Sequence, residues 1–434
     1  MEVNGGAVLI DLGLERGEPP TYTAPGRSTV PSWFPAAFLS VLVLLLAGAS
    51  SAPARSPLNA LFSLQIGPAD TYALTGDGHL LAQTFGLLTS YDLDNGRMQW
   101  QAGQSAPSYR LRLGDGLVLM RPWSTGSGDP GTAAVSVYTG AAQWERSGNV
   151  VTIAGSSTLL AVTSVRSIGG SGRRVQGAVD AVDPVTGQTR WTIPVPNTAV
   201  LLGVPGAADE GARMLLMHDN RTLALHDLDD GRLLARNQVP AADYNPGNPV
   251  VAGGMVLLRH PGHWGAEISA YDPVTLKQAW TAPAAGAYEI EACGSLACLS
   301  GPHRVRAIDP ATGVTRWVHQ GWRSVQSFGP AFVAYGAPDD TDPVTTFDPD
   351  TGATEAGLRG WRPVPGVGVT DRLVLTREGE AGARTMVAVA RPRDQRLHLL
   401  AALPAGTGDC QAVPSRLVCR SMYGELVVWA YREG

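Results

Sequence analysis

A chain of 434 residues has room for several average domains, and its 52 glycines and 32 prolines, with only 16% charged residues, favour many short strands and turns over long helices. The formal net charge of −5, without any clustered run of Lys and Arg, argues against nucleic acid as a partner.

In chain order, residues 1–31 read as a largely disordered cytoplasmic tail. Its one apolar run, residues 7–14, could dock a partner, but a single strand cannot bury enough surface to stay folded alone. Residues 28–54 carry no charge, residues 38–47 are strongly apolar, and Trp33 and Phe34 sit where an interfacial anchor would. A span needs about 20 apolar residues, so residues 32–52 are expected to form one transmembrane helix. Small residues at 49–52 would suit a signal peptidase, but Glu2, Asp11, Glu15 and Glu18 make the preceding tail unlike a basic leader, and an uncleaved signal-anchor is favoured. Arg16 and Arg27 before the span and Arg55 after it barely bias its orientation. A linker, residues 53–60, leads to a β domain spanning 61–434.

That domain is a repeat. Its fullest phrases run from Ala181 through Asp183, Pro184 and Gly187 to Trp191, and from Ala307 through Asp309, Pro310 and Gly313 to Trp317. The other copies centre on Asp92-Gly96-Trp100, Ser136-Gly140-Trp144 and Asp272-Leu276-Trp280, with worn versions at Asp227-Gly231-Ala235 and Asp348-Gly352-Ala356 and a faint one across 389–395. A period of roughly 40 to 47 residues belongs to propellers and other arrays. Each phrase predicts a hairpin. Apolar alternation marks the incoming strand, Asp-Pro starts the turn, Gly supplies positive φ, and Trp lands on the returning strand to wedge against a neighbour. Two further apolar runs upstream of each phrase complete a four-stranded blade. Leu61–Ile66 reads as an orphan last strand, and residues 416–420 and 425–431 as the middle of a blade that lacks one. Pairing them would close the circle and remove its edges.

The phrase Ala-x-Asp-x-x-x-Gly-x-x-x-Trp resembles the blade motif of the pyrroloquinoline-quinone-like (PQQ-like) repeat family of β-propellers, over nearly everything after residue 60. Among these the style resembles actinobacterial membrane-anchored propellers and, more distantly, an outer-membrane assembly lipoprotein. The resemblance implies an all-β propeller of four-stranded blades. Literal counting yields nine, but the family usually has eight, and eight are expected. It also implies that the repeat Asp, Gly and Trp residues are structural. PQQ with calcium is the family's namesake chemistry, but those enzymes use adjacent cysteines over the quinone and Glu/Asn/Asp ligands, and here no two cysteines adjoin.

Cys293/Cys298 and Cys410/Cys419 form two local pairs, each straddling a predicted hairpin, which reads as two disulfides in an oxidising compartment. The propeller is therefore expected outside the cell membrane and the tail inside. Other candidates read as ordinary surface. His260 and His263, beside Trp264, lack a third metal ligand; Asp339, Asp340 and Asp342 lack the spacing of a calcium loop; Arg173 and Arg174 fit a hairpin tip; and residues 169–172 are not followed by the Lys-Ser/Thr of a phosphate loop. No catalytic, cofactor or metal residues are assigned. The favoured function is a non-enzymatic, membrane-anchored scaffold for an unknown protein or envelope component. The alternatives are a quinone- or metal-dependent oxidoreductase and an extracytoplasmic sensor.

Overall fold

The computed structural model describes residue 33, residues 37–41 and residues 56–432, apart from 104–107, 123–130, 154–155, 164–175, 197–198, 205–210, 219–220, 242–248, 264, 330, 338–342, 370, 380–381 and 392–395. The chain separates into two units, residues 1–55 and 56–434. In the first, residues 37–41 are helical, with the Ala37 N–H donating to the Trp33 carbonyl at 2.9 Å. No helix among the described residues is long and apolar enough to cross a membrane. The tail, the expected span 32–52 and the start of the linker otherwise lie outside the described residues.

The second unit is all-β, with nine four-stranded antiparallel sheets among the described residues. Eight of them are meanders of consecutive strands. Blades 1 to 8 cover residues 72–103, 108–146, 149–196, 199–238, 249–283, 289–320, 324–357 and 362–404; blade 9 joins residues 408–431 to Leu58–Gln65. The expectation of eight blades is thus corrected to nine. The faintest repeat still folds as a full blade because alternation suffices without the turn phrase. Its strands Arg384–Arg391 and Arg396–Pro404 bury Val387, Val389, Leu400 and Leu403 against blade 9.

Blade 9 closes the ring. The strand Leu58–Gln65 pairs antiparallel with Glu425–Tyr431 as the outermost strand, beginning three residues earlier than expected. Two arginines lock the seam. Arg420 donates to the carbonyls of Gly67 (2.6 Å) and Asp70 (2.7 Å), and Arg416 binds the Asp94 carboxylate (2.5 Å).

The repeat phrase has one geometry. In blade 3 the Asp183 carboxylate accepts the N–H groups of Val185 (3.0 Å) and Thr186 (2.8 Å), and the Gly187 N–H donates to the Asp183 carbonyl at 2.9 Å. Asp92, Asp227, Asp272, Asp309 and Asp348 repeat this carboxylate turn, and the Ser136 hydroxyl replaces it in blade 2. A bulge follows, after which Trp191 stands directly opposite Ala181, so the phrase opens on a small residue because an indole lies across from it.

Each Trp then crosses to the next blade. Trp144 donates its indole N–H to the Pro184 carbonyl at 2.9 Å and lies against Gly187, where an added Cβ would stand 2.5 Å from the ring at a φ of +69°. Trp100 sits in the same way on Gly140, Trp191 on Gly231, Trp280 on Gly313 and Trp317 on Gly352, while Phe62 takes the place above Gly96. Blade 4 has Ala235 instead of Trp, and blade 5 answers with Leu276 instead of Gly. Leu276 accepts a φ of +55°, fills the vacated space in the core, and receives the Asn237 amide on its carbonyl at 2.7 Å.

Two expectations follow. Trp144→Ala should cost about 3 to 5 kcal/mol and Gly187→Val should also destabilise, through both the ring overlap and the positive φ; unchanged denaturation midpoints would contradict the wedge. Ala235→Trp alone should destabilise, and adding Leu276→Gly should restore much of the loss; purely additive effects in a double-mutant cycle would show that the two positions do not share one space.

Candidate functional site

In an antiparallel meander, the turn after the first strand and the turn after the third lie at the same end of the blade. The turn after the second strand and the connection to the next blade lie at the other. The ring therefore has a turn face, carrying every repeat phrase, and a loop face.

Polar groups on the turn face are largely consumed by the fold. Hydrogen bonds from the Thr186 backbone and side chain hold the exposed Asp183 carboxyl below the usual carboxylate range. The Thr275 bonds do so for Asp272, and the Arg316 guanidinium (2.6 Å) for Asp309.

The loop face is different. A cleft of about 460 Å³ runs between blades 8 and 9, lined by Arg362, Thr376, Glu378, Thr385, Asp409 and Cys410. The elements behind it are tightly tied. Thr385 donates to the Thr407 carbonyl (2.9 Å), Arg420 donates to the Asp409 carboxylate (3.2 Å), and the Tyr72 hydroxyl donates to the Asp409 carbonyl. Burial, then the Asp409 charge, pushes the Tyr72 hydroxyl well above its ordinary range and keeps it a donor. Arg362 and Glu378 have no hydrogen-bond or ion-pair partner among the described residues and face the cleft. A second cavity of about 310 Å³ lies between blades 5 and 6, bounded by Ala284–Ala287, Leu299, His303, Arg304, Arg306 and Gln320. A third, also about 310 Å³, surrounds the Arg259–Gly265 turn of blade 5.

Near the axis, Glu289 and Glu291 alternate with Ile290 on the innermost strand of blade 6. Burial, and then Glu289, pushes the Glu291 carboxyl up to about 7, and burial, and then Glu291, raises the half-buried Tyr335 hydroxyl of blade 7. No signal in the sequence singled out this pair, because packing of blade 7 over the strand creates its environment.

The cysteines form the Cys293–Cys298 and Cys410–Cys419 disulfides, as expected, each joining neighbouring strands of one blade. The first is wholly buried between blades 6 and 7. Neither joins adjacent cysteines, and no three His, Cys, Asp or Glu side chains converge as metal ligands among the described residues. His260 spends both ring nitrogens locally, on the Pro261 carbonyl (2.9 Å) and the Ser269 hydroxyl (2.8 Å), while His263 is exposed. Trp264, Asp339, Asp340, Asp342, Arg173, Arg174 and residues 169–172 lie outside the described residues. Sequence reasoning passed over Arg304 and Arg306, although two arginines alternating with Val305 and Ala307 leave both charges on one side of a half-buried strand.

Compared with known families, residues 62–200 and 175–327 match the profile described as outer membrane protein assembly factor BamB. Comparison with curated proteins finds no match. Among solved structures, BamB from Moraxella catarrhalis is 16% identical, with 86% of this chain and 100% of that one covered and a TM-score of 0.40. A europium-containing methanol dehydrogenase is 13% identical over 86% and 93%, with a TM-score of 0.43. A eukaryotic initiation factor is 9% identical over 82% and 91%, with a TM-score of 0.51, a likeness of fold alone.

The raised Glu291 carboxyl makes a signed expectation. Because its folded value (about 7) exceeds its ordinary one (4.5), its contribution to stability is fully present below 4.5 and is lost as pH rises through 7. Glu291→Gln should match wild type near pH 4.5 and exceed it above pH 8 by about 1 kcal/mol, after screening by solvent at this half-exposed site. A difference that does not change with pH in denaturation series would remove Glu291 as its source.

Proposed function

The chain belongs to the PQQ-like repeat β-propeller family whose profile is described as outer membrane protein assembly factor BamB, and we propose that it is a non-enzymatic scaffold that binds a protein or envelope partner on its loop face. The observation that carries this reading is the division between the faces. Repeat side chains on the turn face bond into their own turns and the next blade, whereas the loop-face cleft between blades 8 and 9 exposes the Arg362 and Glu378 side chains with no partner among the described residues. The loop face also carries Phe85, 93% exposed at a φ of +51°, where a bulky residue costs stability and returns none to the fold.

Ser56 and Pro57 lead into the outermost strand of blade 9 at the turn face, where the Arg432 N–H donates to the Pro57 carbonyl (2.8 Å). The two disulfides support an extracytoplasmic propeller with a cytoplasmic tail.

The test is site-specific photo-crosslinking of the full chain in native membranes. Photoreactive residues at Phe85, Tyr288 and Tyr423 sample the loop face, and those at Tyr138, Val185 and Val314 the turn face; all six are exposed. Defined adducts from loop-face positions alone are expected. Adducts confined to the turn face would overturn the assignment, and saturable binding of PQQ with calcium would replace it with the oxidoreductase reading.

A further inference from the structure

Blade 6 offers a site that no repeat residue explains. Arg304 and Arg306 stand two apart on the strand Arg304–Ile308, so both side chains leave the same face. Val305 and Ala307, between and beyond them, turn the other way into the core shared with blade 7. The two guanidinium groups thus point toward blade 5, over the connection that enters blade 6. Arg304 donates to the Ala285 carbonyl (3.1 Å), and Arg306 to those of Pro283 (3.1 Å) and Ala284 (3.4 Å).

All three bonds use the Nη2 nitrogen alone. A guanidinium has five N–H donors in a planar fork, so Nε and Nη1 of both arginines remain available. Neither arginine has a carboxylate partner among the described residues. They form one wall of the cavity of about 310 Å³ on the loop face, with His303 and Gln320 at its rim. The facing surface is small and apolar, built by Ala284, Ala287, Leu299 and Pro302.

Two unpaired cations side by side against an apolar floor are the inverse of a stable surface ion pair. We propose that this cavity is a carboxylate-binding pocket, in which Arg304 and Arg306 take the oxyanion through their free N–H donors and the Ala284, Ala287 and Leu299 surface takes the methylenes of an acidic side chain or a chain terminus. The fork geometry of Arg suits bidentate capture of a planar carboxylate. Burial, and then the neighbouring Arg304, lowers the affinity of Arg306 for its proton, a penalty that a bound anion relieves. The apolar floor favours a carboxylate on a carbon stem over a fully hydrated inorganic anion. This site deepens the scaffold reading and rests on it, by naming an acidic polypeptide segment as what the loop face receives.

The test uses the full chain in detergent micelles and a fluorescein-labelled hexaglutamate peptide, with hexalysine as the control. Saturable hexaglutamate binding, displaced by succinate, is expected. Arg304→Gln should weaken it at least tenfold with an unchanged melting curve, because Arg304 is exposed. Arg306→Lys, which keeps the charge but loses the fork, should also weaken it. Arg316→Gln removes an exposed arginine on the turn face and should leave binding intact. Absent saturable binding, or equal loss in Arg316→Gln, would overturn the pocket; displacement by inorganic phosphate but not by succinate would overturn the carboxylate assignment. Loop-face crosslinks without hexaglutamate binding would sink the pocket and spare the scaffold. Intact binding without such crosslinks would do the reverse.

Discussion

The contact on which this molecule depends is an indole lying on a glycine of the next blade. A blade alone is a four-stranded sheet with two apolar faces, and both must be covered by neighbours. The wedge supplies register as well as area. The indole N–H finds a turn carbonyl, as Trp144 does at Pro184, so each blade is fixed against its neighbour by a directional bond within an apolar contact. The Gly has two duties at once, a positive φ for its own turn and an absent Cβ for its neighbour's ring. The exception supports the rule: where Trp is lost at Ala235, Leu276 appears on the opposing turn and tolerates the strained φ.

Wedges are missing on both sides of blade 8. Its interfaces are filled instead by Trp361 toward blade 7 and by Trp429 and Tyr431 toward blade 9. Its innermost strand is only Arg362–Pro363, and the loop-face cleft of about 460 Å³ opens beside it. Less regular packing and open space coincide here: after the Val364–Val374 bond (2.8 Å) residues 365–367 leave the ladder of their own blade and bond to Ala412 of blade 9 instead. The two ends of the chain meet inside blade 9, where Leu58–Gln65 pairs with Glu425–Tyr431 with no turn between them, and charge-assisted bonds from Arg416 and Arg420 tie that blade to Asp94 and Gly67.

The ring separates two kinds of polar residue. On the turn face, carboxylates serve the backbone and are held ionised by it, as Asp183 and Asp272 are. On the loop face, Arg304, Arg306 and Arg362 line cavities without carboxylate partners. Polar groups that complete a turn explain themselves. Unpaired charges facing a cleft do not, and they are where binding is to be sought.

The amino-acid sequence by itself determined the blade, its hairpin chemistry, the closing role of the first strand and the pairing of the cysteines. Each of these is local, or is a match between two strand patterns, as between Leu58–Gln65 and Glu425–Tyr431. It did not determine the number of blades. A faint phrase across residues 389–395 looks dispensable in the sequence, yet the alternation around it still buries Val387 and Val389 against Leu417 and Trp429 in a complete blade. The cavities were equally out of sight. Arg304 and Arg306 read as two ordinary arginines until the connection from blade 5 is laid beneath them, and Glu291 is an ordinary carboxylate until blade 7 covers it. Turn chemistry acts over four or five residues and can be read in order along a chain. Desolvation and the loss of a partner depend on which blade lies alongside, and only the closed ring decides that.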